Sequence, residues 1–178
     1  MNWDTIIRHY SSRHRPNKQN ELNWFRRQPS LEAAINLAAR AENDRGLRYS
    51  HQYRITRKAI QEANRLLLEH HDELQKSKSF HELWLLLKNV LGAVGGLGPL
   101  YIYDTALRIG AYLNLRPDRV YLHAGTRTGA KAFGIASKHK EWIELDEVPS
   151  SFRGLSADEV EDILCIYKDK AVSSKGCA

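Results

Sequence analysis

The stretch Gly95-Gly96-Leu97-Gly98-Pro99 lies between two apolar helical patterns, "FHELWLLLKNVLG" before it and "LYIYDTALRIGAYL" after it. Three glycines and a proline within five residues do not continue a helix, because glycine loses the most backbone freedom and proline lacks the amide. The two patterns are therefore two helices joined by a tight turn. Pro99 falls at the first position of the second helix, where its missing N–H would have no partner anyway. Leu97 is the residue expected to plug the turn into the core. Glycines let a backbone approach an anion closely, and a helix N-terminus presents open amides and partial positive charge to it. The bland alternative is a helix-ending turn that holds no ligand.

Elsewhere the pattern is also helical. "LEAAINLAARAEN" follows Pro29-Ser30, a stop-and-cap pair, and ends before Gly46. In "RKAIQEANRLLLEHHDELQKS", Ile60, Ala63, Leu67 and Leu74 fall roughly on one stripe. Capping-box spacing occurs at Ser79–Glu82 and again at Ser156–Glu159, each ahead of an apolar run. A short helix is expected from Gly125 to Phe133, and "EWIEL" reads as a short strand or a helical turn. Alternating patterns are scarce, so the chain is expected to be an all-α bundle. It reads as one helical domain over 1–178. Residues 1–50 form a less regular, basic section, in which the polar run "SSRHRPNKQNE" suits a mobile connector.

Charge narrows the choice of partner. The net charge is +6 and the sequence pI is about 9.4. The excess is uneven. Residues 1–60 carry twelve Lys and Arg against five Asp and Glu, and residues 116–140 carry six against Asp118 alone. Such clustering fits a polyanion, and nucleic acid better than a membrane; together with the glycine turn it makes double-stranded DNA the expected partner. No apolar run approaches the roughly 20 residues that span a bilayer, and the first residues lack a signal-type apolar core. With Cys165 and Cys177 the only cysteines, a disulfide framework and a four-thiolate cluster are both unexpected. The expected setting is cytoplasmic. Adjacent His70 and His71 point apart on a helix, and His9 and His14 read as surface residues, so no metal or cofactor is expected.

The turn carries a resemblance. Glycine, apolar residue, glycine between two helices is the pattern of the helix-hairpin-helix DNA-binding motif. "GLGPLYIYDTALRIG" resembles the hairpin and second helix of the helix-hairpin-helix DNA glycosylase superfamily, most of all its monofunctional alkylpurine branch. Gly96, Leu97, Gly98 and Pro99 match the turn, and Ala106, Leu107 and Arg108 match the helix end. The specific match covers about residues 92–134. It implies a DNA N-glycosylase that swings a modified base out of the duplex and leaves an abasic site, in repair or in defence against modified viral DNA. Bifunctional members carry a nucleophilic lysine where this chain has Leu100, which implies that this chain does not cut the strand by that route. The family's aspartate segment corresponds to "VYLHAGT", where the aligned positions Tyr121 or Gly125 hold no carboxylate.

Two residues are candidates for the chemistry. Asp104 lies in an aromatic helix among Tyr101, Tyr103 and Tyr112, four residues before Arg108; it could orient water at the sugar carbon, or simply form a helical ion pair. His123 could orient water or read a base, or make a structural hydrogen bond. Asp118 reads as a turn or cap residue. For DNA binding the candidates are Gly95, Gly96, Leu97 and Gly98 in the turn, and Thr126, Arg127, Thr128 and Lys131 as a second phosphate contact. Tyr49, His51, Tyr53 and Tyr101 are candidates for a base pocket, since aromatics interleaved with cations can stack an extruded base. The competing expectations are a catalytically silent DNA-binding protein and an all-α protein-interaction module.

Overall fold

The computed structural model describes residues 3–170. Nine helices are present among them: α1 (Trp3–Arg13), α2 (Arg15–Arg26), α3 (Leu31–Arg40), α4 (Arg57–Glu69), α5 (His71–Lys76), α6 (Phe80–Leu91), α7 (Pro99–Leu113), α8 (Ala124–Ala132) and α9 (Ala157–Ile166). The described strands are β1 (Val120–Tyr121) and β2 (Trp142–Ile143), an antiparallel pair with Val120 opposite Ile143. The all-α expectation holds, and "EWIEL" supplies the second strand. The chain gathers into two compact units. One comprises 19–116, and the other joins 3–18 to 117–170.

Local signals place most helix ends. Ser30 caps α3 by accepting from the Ala33 amide at 3.1 Å, Thr56 caps α4 from Ala59 at 3.2 Å, and Ser79 caps α6 from Glu82 at 3.1 Å. The Ser156–Glu159 box forms in both directions ahead of α9. The long pattern from residue 57 is interrupted at His70, whose backbone leaves the helical region between α4 and α5. The "SSRHRPNKQNE" segment is not a connector. It completes α1 and opens α2, held by Tyr10 donating to Asp162 at 2.9 Å and by the ion pair of Arg15 with Glu159 at 2.5 Å. A window of polar residues looked unstructured because its fastenings lie about 150 positions away along the chain.

In the 19–116 unit, α3, α4, α6 and α7 pack against one another. Ile35 and Ala38 of α3, Leu67 of α4 and Leu83, Leu87 and Leu91 of α6 are fully enclosed. At the centre is α7, buried at every position from Tyr101 to Ala111. A helix enclosed on all sides is normally apolar all round. This one carries Asp104, Thr105 and Arg108 into the interior.

The other unit packs α1, α8, α9 and the strand pair around Ile6, Val120, Ile143, Ile163 and Leu164. Its α8 and α9 approach closely: a Cβ on Gly129 would lie 1.9 Å from the Leu164 carbonyl oxygen. Gly129→Ala should therefore force the helices apart and lower stability by about 3 kcal/mol, measured by denaturant unfolding. Gly95→Ala, with nothing within 4 Å of the added carbon, should stay within about 0.5 kcal/mol.

Candidate functional site

The glycine turn follows α6 directly. The Val94 amide bonds the Leu91 carbonyl at 3.0 Å, and the Leu97 amide bonds the Val94 carbonyl at 3.2 Å. Gly96 has φ +89°, the left-handed region that strains any side chain. Leu97 is buried, as its plug role requires, while Gly95, Gly96 and Gly98 are exposed with open space where a Cβ would be. Gly98 is the N-cap of α7, with φ −98° and ψ 173°, and no side chain caps it; Pro99 follows inside the first turn. Between Lys88 and Asp104 the sequence has no charged residue. Any ionic attraction in this unit therefore comes from other segments.

The buried polar groups of α7 are met by the loop before α4 and by α2. Asp104 Oδ2 accepts from Gln52 Nε2 at 2.7 Å and lies 2.8 Å from His51 Nε2. Arg108 donates from Nε to Glu21 at 2.9 Å and from Nη1 to the Gln52 side-chain oxygen at 3.1 Å, and its Nη2 lies 4.0 Å from Asp104. The Tyr49 ring covers the guanidinium at 4.1 Å. Burial disfavours the charge on Arg108, but Asp104 and Glu21 outweigh it and raise the pKa above the ordinary arginine value. Burial also raises the Tyr49 hydroxyl, with Glu21 adding to the effect.

One contact in this network has a chemical consequence. Asp104 is 8% exposed, whereas the His51 side chain is 46% exposed. A buried carboxylate that holds one ring nitrogen of a half-exposed histidine fixes the ring and its tautomer. When Nε2–H donates to Asp104, Nδ1 is left as a proton acceptor. Two residues read separately, one as an acid and one as a pocket aromatic, thus form a dyad. The other pocket candidates divide. Tyr49 is half-buried against Arg108. Tyr53 is exposed, its hydroxyl accepting from Arg54 Nε at 2.9 Å. Tyr101 is buried and donates to the Ala39 carbonyl at 2.6 Å, and burial pushes its hydroxyl up to about 12. It is an interior pillar, a correction to its reading as a base-stacking residue.

The candidates beyond residue 117 belong to the other unit. His123 is the N-cap of α8, buried with its Nε2 hydrogen-bonded to Glu161. Thr126 Oγ1 lies 2.7 Å from both partners. Burial works against a charged ring, but the hydrogen bonds to Cys165 and Glu161 outweigh it and push His123 up to about 10. Thr126 has no exposed surface, and Arg127 spends its guanidinium on the carbonyls of Ser137 and Lys140, each at 2.7 Å, and of Leu122 at 3.3 Å. Both are internal fastenings, which corrects their reading as phosphate contacts. Thr128 and Lys131 are exposed on α8, though Thr128 Oγ1 donates back to Ala124. Asp118 pairs with its neighbour Arg119 through two bonds of 3.0 Å.

Glu21, Gln52, Glu161 and Cys165 carry no local signal of their role; each is polar or small in an unremarkable helix or loop. Cys177 lies outside the described residues. No family model, curated protein or solved structure matches this chain.

Two outcomes follow from these networks. Arg108→Met should cost about 3–5 kcal/mol in denaturant unfolding, because it takes the cation away from the buried carboxylate of Asp104 and the partly buried one of Glu21. The pKa of His123 is raised on folding, so its contribution is complete below the unfolded value near 6.5 and is lost as the pH climbs toward about 10. Melts should show Tm falling by roughly 4 °C or more over that range, and His123→Gln should flatten the dependence.

Proposed function

We propose that this chain binds DNA through the 95–98 turn and hydrolyses the N-glycosidic bond of a modified nucleotide, with His51 accepting the proton of water and Asp104 positioning it. The observation that carries this reading is the His51–Asp104 contact on the helix that begins at the exposed glycine turn. Asp104 lies six residues into α7 from Gly98, roughly 9 Å along the axis. That separation suits a phosphate held at the turn and a nucleotide swung toward the dyad. The chemistry needs no covalent enzyme intermediate, in keeping with Leu100 at the lysine position. One water proton passes to His51, the water oxygen bonds C1′, and the glycosidic electron pair leaves with the base. A cationic modified base departs neutral; a neutral one takes a proton from solvent.

A second reading has its own support. Asp104 is already engaged by Gln52 and His51 beside a fully buried arginine, which is sufficient reason for an acid at that position in a DNA-binding protein without activity.

Duplexes carrying different modified bases, incubated with the protein and then treated with alkali, separate the two. Alkali-dependent breaks that fall about a hundredfold in His51→Ala support hydrolysis. Duplex binding without release of any base supports the silent binder. The turn has its own test in Gly98→Asp. The backbone there suits an aspartate cap, and nothing lies within 4 Å of an added Cβ, so stability should be kept or improved by about 0.3 kcal/mol. A carboxylate facing phosphate should nevertheless weaken duplex binding about tenfold or more in a low-salt anisotropy titration. Unchanged affinity would remove the turn from the interface.

A further inference from the structure

A second feature of the 19–116 unit lies outside the dyad. A cavity of about 450 Å³ is lined by Arg40, Glu42, Arg48, Arg57, Gln61 and Asn64, with Ile60 as an apolar wall. Arg40 ends α3, and Arg48 sits in the reversal that follows, where Glu42 and Arg48 bridge. Arg57, Gln61 and Asn64 fall on one face of α4 at intervals of four and three residues. Three guanidiniums meet one carboxylate, and that carboxylate reaches Arg40 only at 4.0 Å. Arg48 is fixed by donating Nη1 to the Ile55 carbonyl at 2.9 Å.

Two details point to a ligand and to its chemistry. The first is the start of α4. Its first turn holds Arg57 and Lys58 and no acid, so cations stand at the positive end of the helix dipole, where anions are favoured. An incoming anion would relieve that arrangement. The second is Asn64. Asn36 donates Nδ2 to the Glu32 carbonyl at 3.0 Å, and Asn64 donates Nδ2 to Asn36 Oδ1 at 2.9 Å. This relay starts at a backbone carbonyl, so it fixes which end of each carboxamide is oxygen. It leaves Asn64 Oδ1 buried with no hydrogen-bond partner. A buried acceptor without a donor is costly, and only a group bearing N–H or O–H repairs it.

We propose that this cavity is a nucleotide-binding site, with the phosphate held by Arg40, Arg48 and Arg57 and a base or sugar donor on Asn64 Oδ1. Guanidinium forks match phosphate oxygens in pairs. Arg57 and Asn64 are seven residues apart, roughly 10 Å along α4. Inorganic phosphate cannot bridge that span, whereas a nucleoside phosphate can. The cavity volume falls in the ordinary range for small-ligand sites. The site needs neither His51 nor Asp104, so it stands or falls independently of the glycosylase reading. The nucleotide could be free or part of a nucleic acid strand, and both offer the same phosphate and the same donors.

Calorimetric titration of the full chain with inorganic phosphate, deoxyadenosine 5′-monophosphate and a short duplex tests the assignment. The mononucleotide should bind at least about tenfold more tightly than phosphate. Arg57→Gln, an exposed change, should weaken it about fivefold or more, and Asn64→Ala should abolish the preference over phosphate. Circular dichroism checks that both variants fold, and if Asn64→Ala fails to fold, Arg57→Gln with Arg40→Gln carries the test. Displacement of the mononucleotide by duplex assigns the site to a strand; no displacement assigns it to a free nucleotide. Equal weak binding of phosphate and nucleotide, or binding indifferent to the arginine variants, would mean adventitious anion association only and would overturn the proposal.

Discussion

The 19–116 unit depends on a cation where none would ordinarily be placed. Arg108 is buried in the central helix α7, and its charge is tolerable only because Glu21, Gln52, Asp104 and the face of Tyr49 surround it. Removing a charge from water costs several kcal/mol, so each partner must be present and correctly aimed. The requirement reaches across the unit. It ties the second half of α2 to α7, and it holds the 49–52 loop over the same helix. The placement of His51 beside Asp104 is a consequence of satisfying Arg108, whatever use that placement has.

Glycine and leucine divide the work of the 95–98 turn. Leu97 commits the turn to the core, Gly96 supplies a backbone angle unsuited to a side chain, and Gly95 and Gly98 leave the backbone uncovered. The turn is electrically neutral, so in the proposed function it would position a phosphate, with arginines elsewhere in the unit supplying attraction. That division agrees with the general separation between contacts that set register and the long-range field that brings nucleic acid near.

The second unit solves a similar problem with a different pair. His123 and Glu161 are enclosed together, with Thr126 bonding both, and the missing side chain of Gly129 lets α8 and α9 come close enough for them to meet. Thr126 and Arg127 read as surface chemistry in the sequence because small, hydroxylated and cationic residues at a helix start are usually solvated. Here the carbonyls of Ser137, Leu122 and Lys140 take the arginine, and burial takes the rest.

What the sequence determined by itself is the local framework. Caps at Ser30, Ser79 and Ser156, Pro99 after the glycines, and the apolar spacing of α4 and α6 announce the helices, because each signal acts within about one helical turn. The turn and its plug, Leu97, were legible for the same reason. Only the tertiary structure decided the two-unit grouping, the helical state of residues 11–21, and the partners of Asp104, Arg108 and His123. Glu21 lies 87 residues from Arg108, His51 53 from Asp104, and Glu161 38 from His123. Buried polar groups must find a mate somewhere, but nothing in the order of residues says where; that is settled only when packing brings distant segments into one interior.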